Sequence, residues 1–245
     1  CTLKKLPIRK EFETQISKTY GTFNGTNSYI RIDSNNVKIK NSTNKSFTMC
    51  AWFKPNGEPP YGADVDSNRC EYFIFGRPGY HMGLSYTHGG FAKCAIWVRD
   101  IGKSEKTPIV IQHQAKCDEW HHVAVSVDNS VQKISFYLNG TLVAEETYNG
   151  ELVPYLAKPF YIGVGDPNIN HWRNYFKGEI SEVGLWSDSL KEHEILQIFD
   201  KGIVDSRGEY TTAKLPVGVW DFKGGYKDVS FDITGNGNHA KFHNV

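Results

Sequence analysis

Apolar and polar side chains alternate in twos along most of this chain. Val123, Val125 and Val127 are interleaved with Ala124 and Ser126, and Ile134, Phe136 and Leu138 fall on one face of the next segment. That is the period of a β-strand, whose successive side chains leave opposite faces. Asn139-Gly140 follows at once, a dipeptide suited to the two-residue turn of a hairpin. Further strands are predicted at "SYIRI" (28–32), "FTMCAWFKP" (47–55), "EYFIFG", "HMGLSYTHGG", "FAKCAIWVRD" and "TPIVIQHQ". The second of these is stopped by Pro55 and opens a long polar loop, "PNGEPPYGADVDSNRC". Only "SDSLKEHEILQIFDKG" has helical spacing. Its apolar residues are Leu190, Ile195, Leu196, Ile198 and Phe199, with Asp188 or Ser189 as N-cap and Gly202 as the stop. Roughly a dozen short strands and one late helix predict an all-β fold, a two-sheet antiparallel sandwich with one short helix in its C-terminal half.

The length of 245 residues suits one such sandwich. Residues 1–19 are charged and irregular and read as an arm or linker, leaving 20–245 as a single domain. Abundant aromatic residues and 23 glycines agree with strands joined by tight turns. A net charge of +1 without long basic runs argues against nucleic acid or an anionic membrane as partner. No apolar run approaches the roughly 18 residues of a membrane span. The absence of a leader sequence is expected of a secreted chain in its processed form.

Cys1, Cys50, Cys70, Cys94 and Cys117 are widely spaced, without a CxxC pair, which argues against zinc and thioredoxin-type chemistry. Cys50, Cys70, Cys94 and Cys117 can form two disulfides in three alternative pairings. Cys1 is then left for another segment, another chain or a lipid. Sequons for N-glycosylation occur at Asn24, Asn41, Asn44 and Asn139. Together these features predict a disulfide-bonded glycoprotein, secreted or on the extracellular face of the cell surface.

In one order along the chain stand "FNGTNSYIRI", "SFTMCAWFKP", "EWHHVAVSVD", "KISFYLNGTLVAEE", "FYIGVGDPN", "NYFKGEISEVGLWSDSLKEHEI" and "DITGNGNHAKF". The series resembles the laminin-G-like and pentraxin-like domains of the concanavalin A-like lectin/glucanase superfamily. The resemblance implies a jelly-roll sandwich. It also carries a departure: residues 219–245 look like the segment that usually opens such a domain, yet here they close the chain. Residues 217–245 are therefore expected to supply permuted edge strands, the alternative being the start of a second repeat.

Several candidate sites can be weighed on chemistry. His121 and His122 look like metal ligands or proton shuttles, but neighbours on a regular strand face opposite ways. The matching Trp-His-His in the resembled families opens a core strand, so both are expected to be structural, as is Trp120. No nucleophile elbow is present. Glu179 and Glu182, three apart on a strand, make a poor acid/base pair for glycoside hydrolysis. No catalytic residue is assigned, and the protein is expected not to be an enzyme.

Calcium takes loop oxygens. Asp166 and Asn168 stand where the resemblance implies an acidic pentraxin-like calcium loop, and Asp64 and Asp66 fall near its second half. Arg69 and Cys70 replace the acidic and amide residues there, so calcium is a secondary expectation. Asp232 and Asn236 form a separate possible ion site, equally readable as a Gly/Asn turn that holds its own backbone. For ligand binding the preferred loop is "DPNINHWRNY", where Asn168, Asn170, His171, Trp172, Arg173 and Tyr175 combine aromatic faces with planar polar groups, as sugar sites do. Tyr61, Tyr86 and His88 are expected to share its rim.

The sequence reading is a lectin-like, non-catalytic extracellular module binding a glycan or a cell-surface glycoprotein. Protein–protein adhesion is the alternative, and a glycan-cleaving enzyme of the same fold the remoter one.

Overall fold

A computed structural model describes residues 19–43, 45–57, 72–78, 80–86, 91–98, 109–149, 158–168, 174–223, 225–226 and 228–245. Two antiparallel sheets face each other. The smaller, seven-stranded sheet runs β1 (Gly21–Asn24), β12 (Lys177–Trp186), β3 (Phe47–Pro55), β8 (His121–Asp128), β9 (Lys133–Leu138) and β10 (Thr141–Thr147). Strand β13 (Gly218–Trp220) joins it by pairing with the second half of β12. The larger, nine-stranded sheet runs β14 (Gly225–Tyr226), β15 (Val229–Ser230), β16 (Ala240–His243), β2 (Tyr29–Ile32), β11 (Phe160–Ile162), β4 (Tyr72–Arg77), β5 (Tyr80–Tyr86), β6 (Phe91–Val98) and β7 (Ile109–Lys116). The predicted all-β sandwich is therefore the observed architecture. Residues 217–245 contribute to both sheets, because β13 lies beside β12 and β16 beside β2.

Alternation builds the core. Met49, Ala51 and Phe53 of β3, the three valines of β8, and Ile134, Phe136 and Leu138 of β9 all point inward. They meet Ile30, Ile32, Ile74, Phe75, Met82, Phe160 and Ile162 of the larger sheet. Burying such side chains is worth about 1.5–3 kcal/mol each before entropy is subtracted. The Asn139-Gly140 turn has φ of 51° and 74°, the left-handed pair a type I′ hairpin needs.

A short helix, α1 (Val37–Asn41), buries Ile39 in the core. The second helix, α2 (Glu192–Lys201), packs on the outer face of the smaller sheet. Leu190, Ile195 and Ile198 cover Cys50, Ala124, Tyr137 and Trp186 there. This cover explains why β3 and β8 are buried on both faces. The helix starts later than Asp188 or Ser189: Lys191 is its N-cap, and the Glu194 carboxylate accepts the Lys191 N–H at 3.0 Å. Asp188 is used elsewhere, in an ion pair with Lys214 at 3.0 Å. Gly202, with φ of 86°, ends the helix as expected. No described helix is long and apolar enough to cross a membrane.

The disulfide expectation is corrected at Cys50, a free thiol with no exposed surface. Its neighbours across β8 and β12 are Ala124 and Gly184, and its side chain enters the apolar layer under α2. Cys94 belongs to β6 in the other sheet. A disulfide needs Cα atoms within about 7 Å, and the thickness of the sandwich core forbids that approach. Cys117 is buried in the turn after β7. Cys1 and Cys70 lie outside the described residues, as does the side chain of Cys94.

Candidate functional site

The paired histidines face opposite sides of the smaller sheet. His121 lies opposite Phe53, a core residue; its Nε2 donates to Lys116 O at 2.9 Å, and Asn139 Nδ2 lies 3.3 Å from its Nδ1. His122 lies opposite Trp52, beneath α2, with its ring 5.3 Å from Trp52 and 6.0 Å from Phe199. It is fully buried, and neither ring nitrogen has a hydrogen-bond partner among the described residues. Burial pushes its pKa down to about 3, so the imidazole stays neutral. Trp120 is half-buried against Trp52 and Phe199. All three residues pack, as expected.

Glu179 and Glu182 also serve structure, although the expected regular strand is broken by a bulge between Ser181 and Gly184. Glu179 pairs with Lys54 at 3.1 Å. Glu182, with φ of 44°, turns to accept the Ile203 N–H at 2.7 Å, and its second oxygen is shut off from solvent. Burial raises its pKa to about 7. The two carboxylates thus have different neighbours and share no described cleft.

The preferred loop joins β11, which lies between β2 and β4 in the larger sheet, to β12 of the smaller one, and its described parts are residues 163–168 and 174–176. Gly163 N–H donates to Ile74 O and Phe176 N–H to Gly163 O, pinning both ends of the loop. Tyr175 emerges there, 6.2 Å from the ring of Tyr29. Tyr29 also meets Tyr161 at 6.2 Å and stacks on His243 at 4.3 Å with an interplanar angle of 8°. Strand register explains the cluster. Tyr29 and Arg31 leave the outer face of β2 because Ile30 and Ile32 occupy the core face, and β16 and β11 bring His243 and Tyr161 alongside. Arg31 binds Asp33 at 2.7 Å, both of them solvent-exposed. No described helix covers this face.

The electrostatics keep the hydroxyls protonated. Burial together with the Asp166 charge pushes the Tyr161 pKa up to about 12, and burial together with Tyr175 raises that of Tyr29. The patch therefore presents the half-buried rings of Tyr29, Tyr175 and His243, with Tyr161 buried beneath them, beside a guanidinium and a carboxylate. That combination can stack on sugar C–H groups and grip hydroxyls that both donate and accept.

Among the expected site residues, Tyr175 belongs to this patch. Asn168 is exposed, and both its backbone and side-chain N–H groups donate to Asp166 Oδ1. Asn170, His171, Trp172, Arg173, Tyr61, His88, Asp64 and Asp66 lie outside the described residues, and Tyr86 is placed only as a backbone position on β5. Tyr29, Arg31, Asp33, Tyr161 and His243 were not singled out in the sequence. The alternation in "YIRI" gave a signal for Tyr29 and Arg31. Nothing local marks His243, which arrives by sheet order alone.

Among the described residues no three or more His, Cys, Asp or Glu side chains group to hold an ion. Asp166 has no exposed surface; besides Asn168 it meets Lys158 at 3.4 Å. Asp232 accepts from the N–H groups of Val219, Thr234 and Asn238 and from the Thr234 hydroxyl. Asn236 Oδ1 accepts from Lys38 Nζ at 2.8 Å. The Gly/Asn turn at Asp232 thus holds its own backbone.

A family model described as the concanavalin A-like lectin/glucanases superfamily matches residues 24–196, in its laminin-G-like form. The chain belongs to this superfamily. It is similar in structure to a Bacteroides ovatus protein proposed to bind carbohydrate (TM-score 0.64, 19% identity, 93% of this chain covered). The match spans 60% of that protein's length. A heptameric SAP-like pentraxin from Limulus polyphemus is similar over 82% of this chain and 91% of its own, with TM-score 0.50 and 15% identity. The sialidase CBM40 of Ruminococcus gnavus, solved with α2,3-sialyllactose, covers 74% of this chain and 97% of its own, with TM-score 0.51 and 14% identity. At these identities the likeness is one of fold. No curated protein matches the chain by sequence.

Proposed function

We propose that the protein is a non-catalytic carbohydrate-recognition module whose ligand lies on the outer face of the larger sheet, beside the 163–176 loop. The observation that carries this reading is the grouping of the half-buried Tyr29, Tyr175 and His243, backed by the buried Tyr161, next to the Arg31–Asp33 pair. The fold supports it at the level of class, since the superfamily includes lectins and the similar structures include a carbohydrate-binding module. Both glutamates considered for hydrolysis have structural partners, which supports a binding role. An extracellular setting belongs to the same proposal and rests on the exposed sequon at Asn24.

The test is a glycan array probed with the full chain and with Tyr175→Ala, in calcium and in chelator. Binding to a coherent sugar class that falls at least about tenfold in the variant, with unchanged folding, supports the site. Loss in chelator would bring calcium into it through residues outside the described set. Equal binding by the variant refutes the placement. A blank array favours protein adhesion, for which Phe231 and Ile233, 42% and 38% exposed on either side of Asp232, are among the exposed apolar side chains.

A further inference from the structure

A second feature lies at the other end of β3, away from the aromatic patch. A cleft of about 480 Å³ opens between α1 and the ends of β12 and β13. Small-molecule sites are typically roughly 300–1,000 Å³. Its walls are Lys38, Asn41, Ser42, Lys45, Ser46, Ser187 and Val217. The charged groups on these walls are the two lysine ammonium groups, while Asn41, Ser46 and Ser187 can donate as well as accept. Lys38 Nζ uses one proton on the neutral Asn236 amide, leaving two. Lys45 has no ion pair among the described residues, and Asn41 is exposed. The Ser46 hydroxyl accepts from Asn129 N–H, so its own proton is directed elsewhere, and Ser187 is exposed. Ser42 donates to Ile39 O and only shapes the wall.

Among the described residues no Asp or Glu lines the cleft, and Asp188, next to Ser187, is held by Lys214. A cation would find two ammonium groups in its way. A neutral sugar could use Asn41 and the serines but would leave both ammonium charges unmatched. An oxyanion matches the donor set, since it accepts in several directions and offsets both charges.

The geometry points to a binding site for the sulfate or phosphate ester group of a small ligand such as a modified sugar, separate from the aromatic face. The experiment is an amide NMR titration of the unglycosylated full chain with glucose 6-sulfate, glucose 6-phosphate and glucose. Saturable shifts at Asn41, Ser46 and Ser187 are expected with an ester and not with glucose, and the tighter ester identifies the source of the anion. Lys45→Ala should weaken that binding about tenfold, the worth of one charge-assisted hydrogen bond. Lys45→Glu should abolish it, and Tyr175→Ala should leave it unchanged, so failure here and failure of the carbohydrate face are distinguishable. No saturable shift with either ester, equal shifts with glucose, or unchanged affinity in Lys45→Ala overturns the proposal.

Discussion

Replacing His122 by leucine removes an imidazole that the fold keeps neutral between Trp52 and Phe199. In the unfolded chain this group takes up a proton as pH falls through its ordinary 6.5, whereas in the folded protein it does so only near 3. Its contribution to stability is therefore complete above pH 6.5 and is lost on the way down to 3. Glu182 acts in the opposite sense: unfolded it ionises at 4.5, folded at about 7, so its contribution is complete below 4.5 and lost as pH rises to 7. At about 1.4 kcal/mol per pH unit, each group shifts stability by about 2 kcal/mol between pH 4.5 and 6.5. The two slopes nearly cancel in the native protein. His122→Leu should therefore gain about 2 kcal/mol relative to wild type on acidification over this window, and Glu182→Gln should lose about as much. Other titrating groups drop out of the difference. Urea unfolding followed by tryptophan fluorescence at both pH values reads these terms directly. If either variant's stability runs parallel to that of wild type, the corresponding group is not buried in the charge state described, and the reasoning fails for it.

Asn139→Ala should cost about 2–3 kcal/mol, because it removes the acceptor of the buried His122 N–H and forces a left-handed backbone on alanine; Asn139→Gly should cost less, and equal losses in thermal unfolding would refute the backbone part. At Gly178, with φ of 141°, a Cβ would strike the backbone oxygen of Lys54 where β12 pairs with β3. Gly178→Ala should accordingly destabilise by about 3 kcal/mol or more, and a melting temperature within a degree or two of wild type would contradict the register. Cys50 should resist alkylation in the native protein without reductant and react once unfolded; its recovery in a disulfide-linked peptide would reverse its assignment as a free thiol.

Local pattern was enough for the sandwich class, the Asn139-Gly140 hairpin and the single amphipathic helix, because a period of two, a left-handed turn dipeptide and a period of 3.6 are properties of neighbouring residues. It also separated His121 from His122, since neighbours on a strand must face apart. The sheet order was decided only by the tertiary structure. Which strand lies beside β2 depends on the burial of whole faces, and that order assembled Tyr29, Tyr161 and His243 from three segments far apart in the sequence. Helix placement was likewise a tertiary outcome: α2 covers one face of the smaller sheet, so Cys50 and His122, on the outward side by alternation, are as buried as the core. A cysteine count carries no information on which thiols approach each other, which is why the disulfide expectation failed at Cys50 while the fold expectation held. Capping followed the same division. Gly202 was legible because only a residue without a side chain accepts its φ easily, whereas the N-cap fell at Lys191, three residues beyond Asp188, which pairs with Lys214.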